Sequence, residues 1–198
     1  ITGTGDLLSV DNLKYCKDTY GNSMNVITAD GGFDFSIDFN KQESLATNLL
    51  FAQVSFAIAM QKQNGHFILK IFDIFTKTTS DIMYLLSTLY RQVFIVKPNT
   101  SRLANSEKYI VCKYFKEPHH LLMNKIISEY PKLQTKPFIS SLFNFNLDYF
   151  YINKIEEYNA IFGQQQIENI SCTLNLIGCK NKNEKLETFK KNNIQKCI

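Results

Sequence analysis

Met24-Asn25-Val26-Ile27-Thr28-Ala29-Asp30-Gly31-Gly32-Phe33 decides how this chain is read. Its first six residues form a short apolar run with β-branched side chains, which is a strand pattern. The run stops at an acid followed by two glycines, where the backbone can turn sharply. A second such run, His66 to Phe72, follows the turn signal Gln63-Asn64-Gly65. Between the two, Glu43 to Gln61 repeats Leu45, Leu49, Ala52, Phe56, Ala59 and Met60 at three- and four-residue steps, the period of a helix. Strand, helix, strand is the local order.

Working outward, Asp81 to Leu89 predicts a second helix and Val93 to Val96 a third strand. Lys108 to Lys113 reads as a fourth strand, after a loop containing Pro98. Right-handed crossovers make the first three strands parallel, with helices packed against them. Open α/β sheets bind ligands beyond the carboxyl ends of their strands, and Asp30 and Lys70 stand at or near such ends. Glu107, just before the fourth strand, supplies a second acid for the same sheet edge. Each residue also has a plainer reading. Asp30 before two glycines suits a turn residue, Glu107 a loop carboxylate, and Lys70 a snorkelling edge residue. A charge inside an apolar strand, however, is seldom buried unless paired.

Three segments carry a resemblance: TADGGF (28–33), GHFILKIFDIFT (65–76) and KPNTSRLANSEKYIVCK (97–113). In order and spacing, residues 3 to about 116 resemble the catalytic half of FtsJ-like RNA ribose 2'-O-methyltransferases, most of all the cap-specific mRNA enzymes of eukaryotes and viruses. The resemblance implies an α/β, Rossmann-like methyltransferase fold that uses S-adenosylmethionine, and a Lys-Asp-Lys-Glu catalytic tetrad whose last three members are Asp30, Lys70 and Glu107. The tetrad's first lysine and the glycine loop of the cofactor site would lie upstream of Ile1. The sequence is therefore expected to be the later part of a longer protein, and a free chain of 198 residues is not expected to be a competent enzyme. The resemblance also sets Asp6, with the Leu7 backbone beside it, against the adenine of the cofactor, makes Asp30 a further cofactor contact, and makes Lys97, Arg102 and Asn105 contacts to RNA.

The implied chemistry suits these residue types. A ribose 2'-hydroxyl is a poor nucleophile and needs a positioned base before it attacks a sulfonium methyl group. A lysine serves if it becomes neutral, which desolvation and a neighbouring ammonium favour. Nearby carboxylates oppose that loss, so Asp30 and Glu107 are read chiefly as orienting Lys70. The substrate implied is capped mRNA, with other capping or transcription proteins as partners. Ribose methylation of ribosomal or transfer RNA is the rival within the same chemistry. A methyltransferase-like subunit that only binds RNA or a partner is the rival outside it.

Bulk properties add limits. The net charge of +4 comes entirely from the tail, since 180–198 holds six lysines and two glutamates. A frayed or solvated basic helix explains such a tail as well as phosphate binding does. With 44% hydrophobic residues and 16 Phe, the chain can bury a substantial core. No uninterrupted apolar run reaches the roughly 20 residues of a membrane span, and Ile1 to Asp11 does not read as a signal peptide. Five scattered cysteines without a CxxC pair suggest reduced thiols, hence a cytoplasmic or nuclear protein, in the host cytoplasm if viral. The wealth of Asn, Lys, Ile and Phe without Trp suggests an AT-rich coding genome, which a large DNA virus and an AT-rich eukaryote would both fit. His119-His120 lacks companion ligands, so no metal site is expected. The chain divides into the methyltransferase part, 1–117, and a mainly helical extension, 118–198. In the extension His119 to Tyr130, Asn144 to Phe162 and Gly163 to Ile177 read as helices, although the aromatic alternation of 143–153 also suits a strand.

Overall fold

The computed structural model describes residues 3–32, 42–116, 120–178 and 182–197. Phe33, the boundary at 117/118, His119 and Cys179 lie outside these. The elements follow in the order α1 (Val10–Tyr20), β1 (Met24–Ala29), α2 (Gln42–Met60), β2 (Gln61–Ile71), α3 (Lys77–Leu89), β3 (Tyr90–Val96), β4 (Lys108–Phe115), α4 (His120–Glu129), α5 (Lys132–Thr135), α6 (Tyr149–Ile177) and α7 (Lys182–Cys197).

The four strands form one sheet in the order β1-β2-β4-β3. β1 and β2 pair in parallel, as expected. β4 runs antiparallel to both β2 and β3. β3 therefore points the same way as β1 and β2, as expected, but pairs with neither, because β4 lies between it and β2. The connection from β3 to β4 is short enough for an antiparallel pair, and it is β4 that takes the edge of β2.

α2 is apolar on more than one stripe, because Leu50, Phe51, Ala52, Val54, Phe56, Ala57, Ile58 and Ala59 are all buried. It is the central helix of the core, against β1 and β2 on one side and α1 and α3 on others. Glu43–Met60 is long and apolar enough by composition to cross a bilayer, but 72% of it is buried inside the fold. Leu45, expected on the packed face, is instead exposed. α3 begins one turn before the expected Asp81, capped by Thr76, whose side chain accepts from the Thr79 N–H. The carboxylate of Glu43 accepts from the Phe75 and Thr76 N–H groups at 2.8–3.1 Å, tying the start of α2 to the entry of α3.

The turn read at Gln63-Asn64-Gly65 is a bulge inside β2, where the register with β1 slips between Met24↔Gln61 and Val26↔His66. Asn64 takes a positive φ of 65° there. Fully buried Gln61 holds the bulge, donating to the carbonyls of Met24, Asn25 and His66 and accepting from the Tyr90 hydroxyl. α1, absent from the sequence reading, is fixed mainly by one fully buried residue, Leu13. Its apolar signal was too narrow to register as a face.

In the C-terminal part, 143–148 is irregular and Asp148 caps a single helix that runs through Gly163, in place of the two helices read there. α6 reaches back to the sheet. The Asn159 amide donates to the Ile74 carbonyl at 2.7 Å, and the buried Lys108 ammonium lies 5.4 Å from the centre of the Phe162 ring.

Candidate functional site

The strand registers bring the three candidate residues together. Ala29 pairs with Leu69, so the next residues along the parallel strands, Asp30 and Lys70, lie side by side. Lys70 pairs with Tyr109 on β4. Glu107 is two residues before Tyr109, and strand alternation sends both side chains to the same face. The insertion of β4 beside β2 is thus what carries Glu107 to Lys70.

The Lys70 ammonium lies 2.8 Å from Asp30 Oδ1 and 3.5 Å from Glu107 Oε2. The Lys70 and Glu107 side chains are each 22% exposed and Asp30 is 65% exposed, so the cluster opens to solvent on the Asp30 side. Glu107 Oε1 accepts from the Ser101 hydroxyl at 2.9 Å and, more weakly, from the Tyr109 hydroxyl at 3.5 Å. The Asp30 hydrogen bond is the largest influence holding the Lys70 pKa above the ordinary lysine value of 10.5. Burial opposes it, and the charges of Asp30 and Glu107 reinforce it.

A pKa raised on folding means that pairing with Lys70 stabilises the fold fully below the ordinary lysine range. That contribution is lost as pH rises through the raised value. Asp30→Asn is expected to shift the Lys70 titration downward, read from the pH dependence of its 13Cε signal; an unmoved titration would refute the pairing.

The polypeptide around Asp30 is held from behind. Gln53 of α2, itself buried, accepts from the Gly31 N–H at 2.8 Å. A Cβ at Gly31 would stand 2.9 Å from that same oxygen, so the turn and the glutamine need each other's geometry. Gln53 escaped the sequence reading, and a polar residue in the middle of an apolar helix was its one signal. The cavity beside Gln53 and Lys70 is about 30 Å³, enough for a water but not for a nucleoside. At the strand ends Asp30 is exposed, and among the described residues nothing lies within 4 Å of where a Cβ on Gly32 would be.

Asp6 sits in an exposed N-terminal turn, its Oδ1 accepting from the Leu8 N–H at 2.8 Å. The Leu7 carbonyl accepts from the Tyr130 hydroxyl at 2.6 Å, which pins this segment to the residue following α4. Of the residues read as RNA contacts, Arg102 is exposed on the loop before β4. Lys97 and Asn105 are bonded to each other. The Lys97 ammonium donates to Asn105 Oδ1 at 3.0 Å, to the Asn105 carbonyl at 2.8 Å and to the Glu107 carbonyl at 2.7 Å. Burial, and then the charge of Lys108, pull the Lys97 pKa below the usual lysine value.

Buried Lys108 lies 3.8 Å from Asp73, and burial lowers the lysine's pKa while raising the acid's. Among the described residues no group of three or more His, Cys, Asp or Glu side chains could hold a metal ion.

The profile of the FtsJ-like methyltransferase family matches residues 1–115. The chain belongs to the FtsJ-like methyltransferase family. It is 31% identical over 199 residues to cap-specific mRNA (nucleoside-2'-O-)-methyltransferase 2 of Pongo abelii, an alignment covering 98% of this chain and 25% of the relative. With cap-specific mRNA (nucleoside-2'-O-)-methyltransferase 1 of Trypanosoma brucei brucei it shares 38% identity over 114 residues, 57% of this chain and 31% of the relative. This FtsJ-like chain thus spans about a quarter to a third of the length of these curated relatives. Among solved structures, one described as a ribosomal RNA methyltransferase of Plasmodium falciparum matches with a TM-score of 0.40 at 22% identity, covering 57% of each chain.

Proposed function

We propose that the protein carrying this FtsJ-like chain methylates the ribose 2'-hydroxyl of the first transcribed nucleotides of capped mRNA, using S-adenosylmethionine. The observation that supports this most is the Lys70 ammonium held between Asp30 and Glu107 at the open end of the sheet. The cap-specific names of the relatives supply the substrate class.

The exposed Asp30 carboxylate and the exposed Gly32 backbone fit a ligand lying across the strand ends. Asp30, Asp6 and the Leu7 backbone would hold S-adenosylmethionine, which would supply an activated methyl group. Lys70 takes the part of the base that receives the 2'-hydroxyl proton. Asp30 and Glu107 fix the direction of its Nζ, while their charges hold it protonated in this chain. A second ammonium close by, which the family resemblance implies, would work in the opposite direction and favour release of the proton. These groups titrate as a coupled set. Arg102 contacts the RNA backbone. In this reading residues 1–117 supply catalytic parts and 118–198 a helical flank to them.

The deciding test is labelled methyl transfer by the intact gene product on matched RNAs with and without a 5' methylguanosine cap. Ribose labelling that depends on the cap is the expected result. Equal labelling of uncapped RNA would transfer the assignment to ribosomal or transfer RNA, and no labelling of either would leave a binding subunit.

A further inference from the structure

We infer that Lys97 is a positioning residue for Glu107, and that its ammonium closes the 97–107 loop instead of reaching RNA. The inference rests on the proposed methyl transfer only for its kinetic readout. Its structural readout stands independently.

An ammonium has three N–H donors and no acceptor. At Lys97 three protein oxygens lie at 2.7–3.0 Å, two from Asn105 and one from the Glu107 main chain. The lysine leaves the end of β3, crosses the loop and grips the residues that lead into β4. It thereby sets the main chain of Glu107, while the Ser101 hydroxyl, on the same loop, sets one oxygen of its carboxylate. The other oxygen faces Lys70. The loop is a closed ring of hydrogen bonds with Glu107 as its product, and turns at Pro98–Ser101 and Arg102–Asn105 shape its backbone.

Direction argues the same way. Val96 pairs with Tyr109, so Lys97 continues opposite Lys108. Lys108 alternates with Tyr109 and so belongs to the sheet face opposite Tyr109, Glu107 and Lys70. The effect of the Lys108 charge on Lys97 agrees with that neighbourhood. A phosphate near Lys70 would therefore approach the face that Lys97 turns away from. The sequence could not separate the two roles, because a lysine before a proline at a strand end looks like a surface cation until its acceptors are seen.

Two substitutions in the intact gene product distinguish positioning from RNA contact. Lys97→Met removes the donors and the charge. Lys97→Arg keeps the charge, but its planar fork cannot reproduce three converging ammonium bonds. Both are expected to lower the single-turnover methylation rate at saturating capped RNA by about 10-fold or more, as small displacements of catalytic groups do. RNA affinity and its salt dependence should stay within about twofold of wild type. Weaker RNA binding in Lys97→Met with an unchanged saturated rate, restored by Lys97→Arg, would overturn the inference.

Hydrogen exchange provides the second readout, at a temperature where the circular dichroism of wild type and variant agree. Amides 101–107 are expected to exchange about 10-fold faster in Lys97→Met. Unchanged exchange would overturn the inference whether or not the protein methylates RNA. If wild type shows no methyl transfer while the loop exchange rises, the proposed function fails and the positioning role stands.

Discussion

Lys70→Ala in the intact gene product is expected to lower methyl transfer to capped RNA by roughly 100-fold or more, the usual scale for loss of a general base. Affinity for S-adenosylmethionine should fall far less than the rate, because of the residues proposed to hold the cofactor Lys70 pairs with Asp30 and not with Asp6. Lys70→Arg should fail as well. A guanidinium keeps the charge that pairs with Asp30 and Glu107 but does not lose its proton in the working pH range. The arginine variant thus separates a base from a cation that merely organises the site. Single-turnover transfer of labelled methyl groups and equilibrium dialysis of the cofactor measure the two quantities. Near-normal turnover in either variant would remove Lys70 from the role of base.

The three candidate residues were legible because each interrupts, ends or directly precedes an apolar run, where a charge needs a reason. Their mutual arrangement was only half legible. The neighbourhood of Asp30 and Lys70 follows from a parallel β1-β2 pair, which the strand-helix-strand order predicts. The approach of Glu107 depends on β4 lying between β2 and β3, and no local periodicity encodes strand order.

Side-chain direction was the least legible. Lys97 and Arg102 look alike in sequence, yet one is turned into its own loop and the other is exposed. Gln53 illustrates a signal that the sequence does carry. Thr47, Asn48, Gln53 and Ser55 are polar residues in an apolar helix, and all four are buried. Burial without partners would be costly, so each implied a bonded neighbour. Asn48 donates to the Leu133 and Lys136 carbonyls, Thr47 accepts from the Ile139 N–H, and Gln53 holds Gly31. An apolar helix with a polar residue every few positions is thus the docking rail for segments far away in the chain.

The largest stability effect is expected at Asp81, which the sequence suggested only as the start of a helix. Its side chain is fully buried, and Oδ2 accepts from the Ser141 hydroxyl and the Leu142 N–H at 2.9 Å and from the Phe143 N–H at 3.4 Å. Lys77, one turn earlier on α3, completes the site at 3.0 Å. Asp81 therefore fastens the irregular segment after α5 to α3, beside the bond from the Thr78 hydroxyl to the Ile139 carbonyl. Asp81→Ala leaves these half-buried N–H groups without the buried acceptor they share, and an unsatisfied donor costs up to about 1–3 kcal/mol. Lys77 is 43% exposed and can return to water, so no stranded charge is added. The net loss should be about 3 kcal/mol, measured as a shift in the urea midpoint at unchanged slope. A loss below about 1 kcal/mol would mean that the segment is held by its apolar contacts alone. Methyl transfer below the melting range should survive Asp81→Ala, because Asp81 makes no contact with Asp30, Lys70 or Glu107. That contrast with Lys70→Ala separates the residue that holds the fold from the one proposed to carry the chemistry.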